Sequence, residues 1–208
     1  MATFYEKYIL PRCLNCLCSV KPITYQREKV VPHASGVVLE VGVGSGLNFP
    51  FYDHQKIERV IGLDPSVELN SMAQKVADEQ QLRVDFMMGY GEKIDLPSDS
   101  ADTVLVTYTL CSVEDVSLVC SEILRVLKPD GKLIFCEHGL APDASVARWQ
   151  RRIDPFWGVI AGGCHLDRDI PGLISAAGFE IETLDQMYLP STPRFAGFNS
   201  WGTAKPNA

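Results

Sequence analysis

The residues with the most to say about chemistry are three alternating glycines, Gly42, Gly44 and Gly46, and two acids near them, Glu40 and Asp64. Glycines at this spacing let a chain turn sharply and bring its backbone against a ligand with no Cβ in the way. They follow the apolar run Val37-Val38-Leu39 and Val41, and Leu47-Asn48 reads as the opening of a helix. A strand, a glycine turn and a helix start together form a cradle for a nucleotide-type cofactor. Asp64 closes the next apolar run, where a carboxylate accepts hydrogen bonds from both hydroxyls of a ribose. It also suits the cap of a helix opening at Pro65-Ser66, a role compatible with the first. Two histidines, His138 and His165, are candidates for the group that helps a nucleophile lose its proton.

Apolar periodicity locates the elements that must position these groups. Runs at 37–41, 59–64, 82–87, 103–107 and 132–138 read as strands, and Ser66 to Gln81 and Glu114 to Leu127 as the helices between them. The first helix has Val67, Leu69, Met72, Val76 and Ala77 as its buried stripe, and the second has Val116, Val119, Ile123 and Leu127. A turn over Leu127-Lys128-Pro129-Asp130-Gly131 precedes the fifth strand, and two closing antiparallel strands fall at 179–182 and 195–203. Alternating strands and helices imply a parallel sheet, with the end of the fourth strand, Thr107, facing the crevice where strand order reverses. Residues 3–31 form helices, interrupted by Pro11 and Pro22, that cap the sheet, with Tyr5, Tyr8, Ile9, Leu14 and Leu17 at helical spacing. Cys13-Leu14-Asn15-Cys16 is half of a zinc pattern, but no partner pair follows at ribbon or finger spacing, so no metal is expected and Cys18 reads as packing. Cys111 reads as packing too, and Phe156, Trp157, Ile160 and Tyr5 could roof a small-molecule pocket.

At 208 residues the chain fits one domain, divided as a helical cap over 1–34, a cofactor-binding core over 35–140 and a substrate-side insert with closing strands over 141–208. Hydrophobic residues make up 46% and charged residues 22%, and no stretch approaches the roughly 20 uninterrupted apolar residues of a membrane span. A net charge of −7 argues against a nucleic-acid partner. Basic residues near the start are sparse for a surface-binding helix, which leaves peripheral membrane contact open without favouring it. Seven cysteines without a secretory leader at Met1-Ala2-Thr3-Phe4 point to a reducing, cytoplasmic compartment. Oligomeric state is open.

A dinucleotide fingerprint has its third glycine at position 47, which is Leu here, and its strand carries no acid where Glu40 stands. Glu40-Val41-Gly42-x-Gly44-x-Gly46 instead resembles motif I of the class I S-adenosylmethionine-dependent methyltransferases with a methyltransferase-11-type domain. Leu127-Lys128-Pro129-x-Gly131 is a further match. Gly89-Tyr90-Gly91-Glu92 departs from the family, with Tyr90 at the acid that holds the adenine amino group and Gly91 at an alanine. Leu110-Cys111-Ser112-Val113, Glu137-His138, Asp154-Pro155-Phe156-Trp157 and Gly162 to Asp169 resemble the branch of the animal thiol S-methyltransferases and their bacterial relatives, without the N-terminal membrane anchor of the animal members.

The resemblance implies a Rossmann-like α/β fold: a seven-stranded, mostly parallel sheet with helices on both faces and an N-terminal helical cap. It implies S-adenosyl-L-methionine as cofactor and S-adenosyl-L-homocysteine as product. The cofactor would be held by Glu40, Gly42, Gly44, Gly46, Asn48, Asp64, Pro65, Ser66, Gly91, Glu92 and Thr107. The expected reaction is methyl transfer to a small-molecule nucleophile, with a thiol or sulfide preferred and a lipid, quinone or amine acceptor as the alternative. A thiol needs least help, since a few per cent is already thiolate at neutral pH. An NAD-dependent dehydrogenase and a non-catalytic cofactor-binding module are the readings from other classes.

Overall fold

A computed structural model describes Asn15 and residues 18–207, so the expectations placed on Tyr5, Tyr8, Ile9, Pro11, Cys13, Leu14, Cys16 and Leu17 lie outside the described residues. Seven strands, β1 (Gly36–Val41), β2 (Ile57–Leu63), β3 (Val84–Met87), β4 (Ala101–Thr107), β5 (Leu127–His138), β6 (Phe179–Tyr188) and β7 (Phe198–Pro206), form one sheet in the order β3-β2-β1-β4-β5-β7-β6. The first five strands run parallel, and β7 pairs antiparallel with both β5 and β6. The expected seven-stranded, mostly parallel sheet is therefore present.

Continuous apolar runs produce this because both faces of the central strands are covered. In β1, Val38 joins the cluster of Val60, Leu105, Ile134 and the helix residues Ala73 and Ala77, while its neighbour Leu39 joins Ile61, Val104, Leu133, Val119 and Ile123 on the opposite face. The described helices are α1 (Lys21–Val30), α2 (Val67–Gln80), α3 (Val116–Val126), α4 (Ala144–Ile160), α5 (Ile170–Ala176) and the single turn α6 (Arg194–Gly197). Val30 of α1 packs with α2 on the first face, and α3 and α5 cover the second.

Several boundaries differ from the sequence reading for local reasons. Leu47-Asn48 opens only a 3-10 turn over Phe49–Phe51, which ends where the chain turns extended at Tyr52 (φ −67°, ψ 135°). Pro22 starts α1 rather than interrupting it, since a first-turn proline costs no hydrogen bond. In α2 the stripe is rotated: Val67 is 65% exposed and the buried residues are Asn70, Ala73 and Ala77. The Leu127–Gly131 turn is drawn into β5 as an irregularity, with Ala101 opposite Leu127 but Thr103 opposite Lys132. Helix α4, which the sequence reading treated only as an insert, runs straight through Pro155. The Asp154 carboxylate before it accepts from Leu166 N at 2.6 Å and meets His165 Nδ1 at 2.7 Å, tying the helix to the segment that follows it.

Candidate active site

Between the C-terminal ends of β1 and β4, where strand order reverses, lies a cavity of about 1070 Å³. Open parallel sheets collect ligands at this position. A second hollow of about 570 Å³ sits among Asp99, Asp102, Lys128 and Lys132 at the opposite strand ends, where Lys128 Nζ and Asp102 Oδ1 pair at 2.6 Å.

The glycine turn forms one wall of the large cavity. Gly42, Gly44 and Gly46 all have positive φ, +74°, +55° and +80°, the left-handed region that residues with a Cβ avoid. Gly42 N and Val43 N donate to Leu63 O at 2.8 and 3.1 Å, which pins the turn to the end of β2. A Cβ on Gly44 would meet only Gly42 O at 3.9 Å, so the face of the turn is open to a ligand.

Asp64 stands across from it, 7% exposed, with Oδ2 accepting from Gly44 N at 3.0 Å and Oδ1 accepting from Ser66 N at 2.8 Å. Each oxygen keeps a lone pair for a further donor. Burial raises the proton affinity of Asp64, against the Ser66 and Gly44 amides that lower it. Ser66 in turn caps α2, its Oγ accepting from Leu69 N at 3.2 Å, while Pro65 lines the cavity. The helix is capped by Ser66 and not by Asp64, which leaves the free lone pairs of Asp64 open to the cavity side. Replacing Asp64 by Ala is expected to weaken S-adenosylhomocysteine binding on the order of 10- to 100-fold, the loss of one or two hydrogen bonds to a charged acceptor. Calorimetric titration reads this directly, and an unchanged Kd would remove Asp64 from the site.

Beneath the turn lies a polar network. Asn48 Nδ2 donates to Glu40 Oε1 at 2.9 Å and to Thr107 Oγ1 at 3.0 Å, and Tyr52 OH donates to Glu40 Oε2 at 2.7 Å. Arg27 Nη1 reaches both Asn48 Oδ1 and Thr107 Oγ1 at 2.7 Å. Thr107 and Arg27 line the cavity, whereas Glu40 and Asn48 stand behind them as supports. Arg27 was not among the expected residues, although Ile23, Arg27 and Val30 at helical spacing place a cation on an apolar stripe, which is a readable signal. Among the described residues Arg27 Nε has no hydrogen-bond partner although it is buried, and the guanidinium brings a positive charge to the cavity wall.

Burial pushes the Glu40 carboxyl up to about 7, beyond what Tyr52, Asn48 and Arg27 recover. The folded chain thus holds this proton more tightly than the unfolded one, whose value is near 4.5. The stability from this group is full below about pH 4.5 and is lost as pH rises through about 7, an effect on the order of 3 kcal/mol. The variant Glu40→Gln should lack that decline. Denaturant midpoints for both proteins across this pH range check it, and parallel curves would contradict it.

Gly91 and Glu92 border the cavity on the far side of the turn. A Cβ on Gly91 would crowd Val41 and Val119 at 3.1 and 3.2 Å, and Glu92 Oε1 accepts from Glu114 N and Asp115 N at 3.0 and 3.3 Å. Glu92 therefore anchors the lead into α3, and Tyr90 is 68% exposed.

On the remaining side, His138 Nε2 lies 2.7 Å from Cys164 Sγ, and both residues line the cavity together with Cys111. Burial disfavours charge on His138, but Cys164 and Glu137 beside it outweigh this and raise its proton affinity. Glu137, fully buried, accepts from the consecutive amides of Thr109, Leu110 and Cys111 at 2.7, 3.1 and 3.2 Å, fixing the loop after β4. His165 is directed elsewhere: its Nδ1 meets Asp154, it is not among the cavity residues, and its amide donates to Cys111 O at 2.8 Å. Trp157 and Phe195, edge to face at 5.8 Å, add an apolar wall, while Phe156 and Ile160 are 77% and 64% exposed and do not roof it.

The sheet order and this crevice define a class I methyltransferase fold, and comparison with known proteins agrees. A methyltransferase domain family model matches residues 39–135. Mouse thiol S-methyltransferase TMT1B is 35% identical over 204 residues, covering 93% of this chain and 83% of that protein. Human thiol S-methyltransferase TMT1A is 31% identical over 186 residues, covering 87% and 72%. An S-adenosylmethionine-dependent methyltransferase structure from Mesorhizobium loti superposes with a TM-score of 0.67 at 18% identity over 91% of this chain and 99% of that one. The chain belongs to the S-adenosylmethionine-dependent methyltransferases, in the family that includes the thiol S-methyltransferases TMT1A and TMT1B. Its cofactor is S-adenosylmethionine, which sets aside the dehydrogenase, and its place among named methyltransferases sets aside the non-catalytic module. Among the described residues no helix is long and apolar enough to cross a membrane.

Proposed function

We propose that this chain, as one domain, methylates a small, largely apolar thiol. The observation that carries the reading is the composition of the cavity beyond the cofactor cradle: Cys111, His138 and Cys164 face it beside Trp157, Leu189 and Phe195. A neutral, soft nucleophile fits such walls without the desolvation penalty that an ammonium or carboxylate acceptor would incur. The thiol S-methyltransferase names of its relatives point the same way.

The bound cofactor supplies an electrophilic methyl group on a sulfonium. The Gly42–Gly46 turn and Asp64 bind its amino-acid and sugar portions, and Arg27, held by Asn48 and Thr107, places its positive charge on the cavity wall for the carboxylate. Gly91 and Glu92 border the adenine. His138 is the group on the acceptor side that helps the thiol shed its proton, and the apolar wall excludes water from the resulting nucleophile. Holding the two reactants in line contributes most of the rate, since effective molarities for well-oriented groups are very large.

The test is a panel of alkyl and aryl thiols, primary amines, phenols and phospholipid dispersions, with S-adenosylhomocysteine release as the readout. Turnover confined to thiols is the expected result. Turnover of amines or lipids with no thiol turnover would overturn the thiol reading and leave the methyltransferase standing.

A further inference from the structure

Three side chains far apart in the sequence meet in the acceptor half of the cavity. Cys111 lies after β4, His138 ends β5 and Cys164 sits in the turn after α4. One potential ligand atom from each, two sulfurs and an imidazole nitrogen, lies within 4.8 Å of the others. Cys111 Sγ and Cys164 Sγ are 4.0 Å apart, and His138 Nε2 is 2.7 Å from Cys164 Sγ. A tetrahedral zinc ion, with Zn–S about 2.3 Å and Zn–N about 2.0 Å, holds two sulfurs about 3.8 Å apart and a nitrogen and a sulfur about 3.5 Å apart. The sulfur pair is already near its metal-bound separation. The nitrogen–sulfur pair needs to open by less than ~1 Å, which a small side-chain rotation of half-buried Cys164 provides.

The scaffold around the three is fixed on independent sides. Glu137 clamps the amides of residues 109–111, and the amide of His165 ties the Cys164 turn to Cys111 O. Arg168 Nη1 donates to Leu110 O at 2.6 Å. Two cysteines and a histidine on a cavity wall are the ligand number of a catalytic zinc site, which keeps a fourth position for substrate, rather than of a closed structural one.

We propose that Cys111, His138 and Cys164 form a zinc(II) site whose open fourth position takes the sulfur of the acceptor thiol. On loading, the two cysteine thiols lose their protons to solvent and their sulfur lone pairs form the bonds to zinc. The acceptor thiol loses its proton likewise, binds through one lone pair and keeps another for the methyl carbon. The site rests on the thiol-transfer reading and refines it: His138 acts on the acceptor's proton through the ion. Positions 111, 138 and 164 have no motif spacing and are joined only by the fold, so no metal is expected at them from sequence.

The experiment measures zinc per full-length chain by elemental analysis after dialysis, then absorption of the cobalt(II)-substituted protein with and without propanethiol. Wild type is expected to retain about one equivalent, and Cys164→Ala and His138→Gln to retain less than about a tenth of that. Cys120→Ala, altered in the core under α3, should keep the full amount. Calorimetric binding of S-adenosylhomocysteine confirms that each variant is folded. The sulfur-to-cobalt band should shift when propanethiol is added. Equal zinc in wild type and in folded Cys164→Ala and His138→Gln would overturn the site. Full thiol turnover by the zinc-free chain would also overturn it while leaving thiol transfer intact. A loaded site with an unshifted band and no thiol turnover would overturn both.

Discussion

Replacing Gly42 by Ala should abolish measurable cofactor binding and lower the melting temperature as well. The residue sits at φ +74°, where a Cβ costs about 1–2 kcal/mol on its own. The added carbon would also fall on the Thr109 side chain, within 2.6 Å of its Cγ2. Thr109 cannot retreat freely, because its amide is held by Glu137 at 2.7 Å. Either the turn lifts off β2, breaking the Gly42 and Val43 bonds to Leu63 O, or the loop after β4 is displaced; both deform the cavity. A loss of at least about 100-fold in S-adenosylhomocysteine affinity is expected, close to 3 kcal/mol. Gly44→Ala makes the comparison informative. Its Cβ would point into open space, so that variant should weaken binding with less effect on the fold. Undiminished affinity in Gly44→Ala would show that the cofactor does not lie on the turn.

Replacing His138 by Ala should lower kcat/KM for the acceptor by about 10²- to 10³-fold, the usual worth of a positioned group that handles a proton. Cofactor affinity should be unchanged, since His138 is on the opposite wall from Asp64 and the glycine turn and contacts neither. His165→Ala is the contrasting case. Its imidazole faces Asp154 and reaches the site only through the turn carrying Cys164, so a drop of about tenfold or less is expected. Steady-state kinetics with a saturating methyl donor separates the two. Equal effects would mean that the pair acts as one structural unit, and turnover by His138→Ala at the wild-type rate would remove His138 from the chemistry.

Much of this protein could be read before any coordinates. The strand at Val37–Val41, the glycines after it and Asp64 at the end of the next strand depend on local preferences: β-branched residues that favour an extended chain, positive φ that favours glycine, and an acid that accepts the amide two residues on, ahead of the helix capped by Ser66. Each is decided within a few residues, so the cradle and the parallel sheet were both legible. One departure has an equally local cause: Pro22 lies in the first turn of α1, where a proline costs no hydrogen bond, so it starts that helix.

What tertiary structure alone decided are the contacts between residues with no fixed spacing. Arg27 enters the site because α1 packs on the sheet beside Asn48 and Thr107, the latter 80 residues away in sequence. Glu137 became a clamp on three amides because β4 and β5 are neighbours, and Asp154 in α4 finds its partners, Leu166 N and His165, beyond the helix end. The two histidines, equivalent as candidates by type, were separated only by direction: one opens into the cavity beside Cys164, the other turns to Asp154. Side-chain direction at the ends of strands and in loops depends on what packs against them, and that information is spread over the whole chain. Backbone conformation is chosen locally and was readable; the grouping of Cys111, His138 and Cys164 requires the sheet to be assembled first.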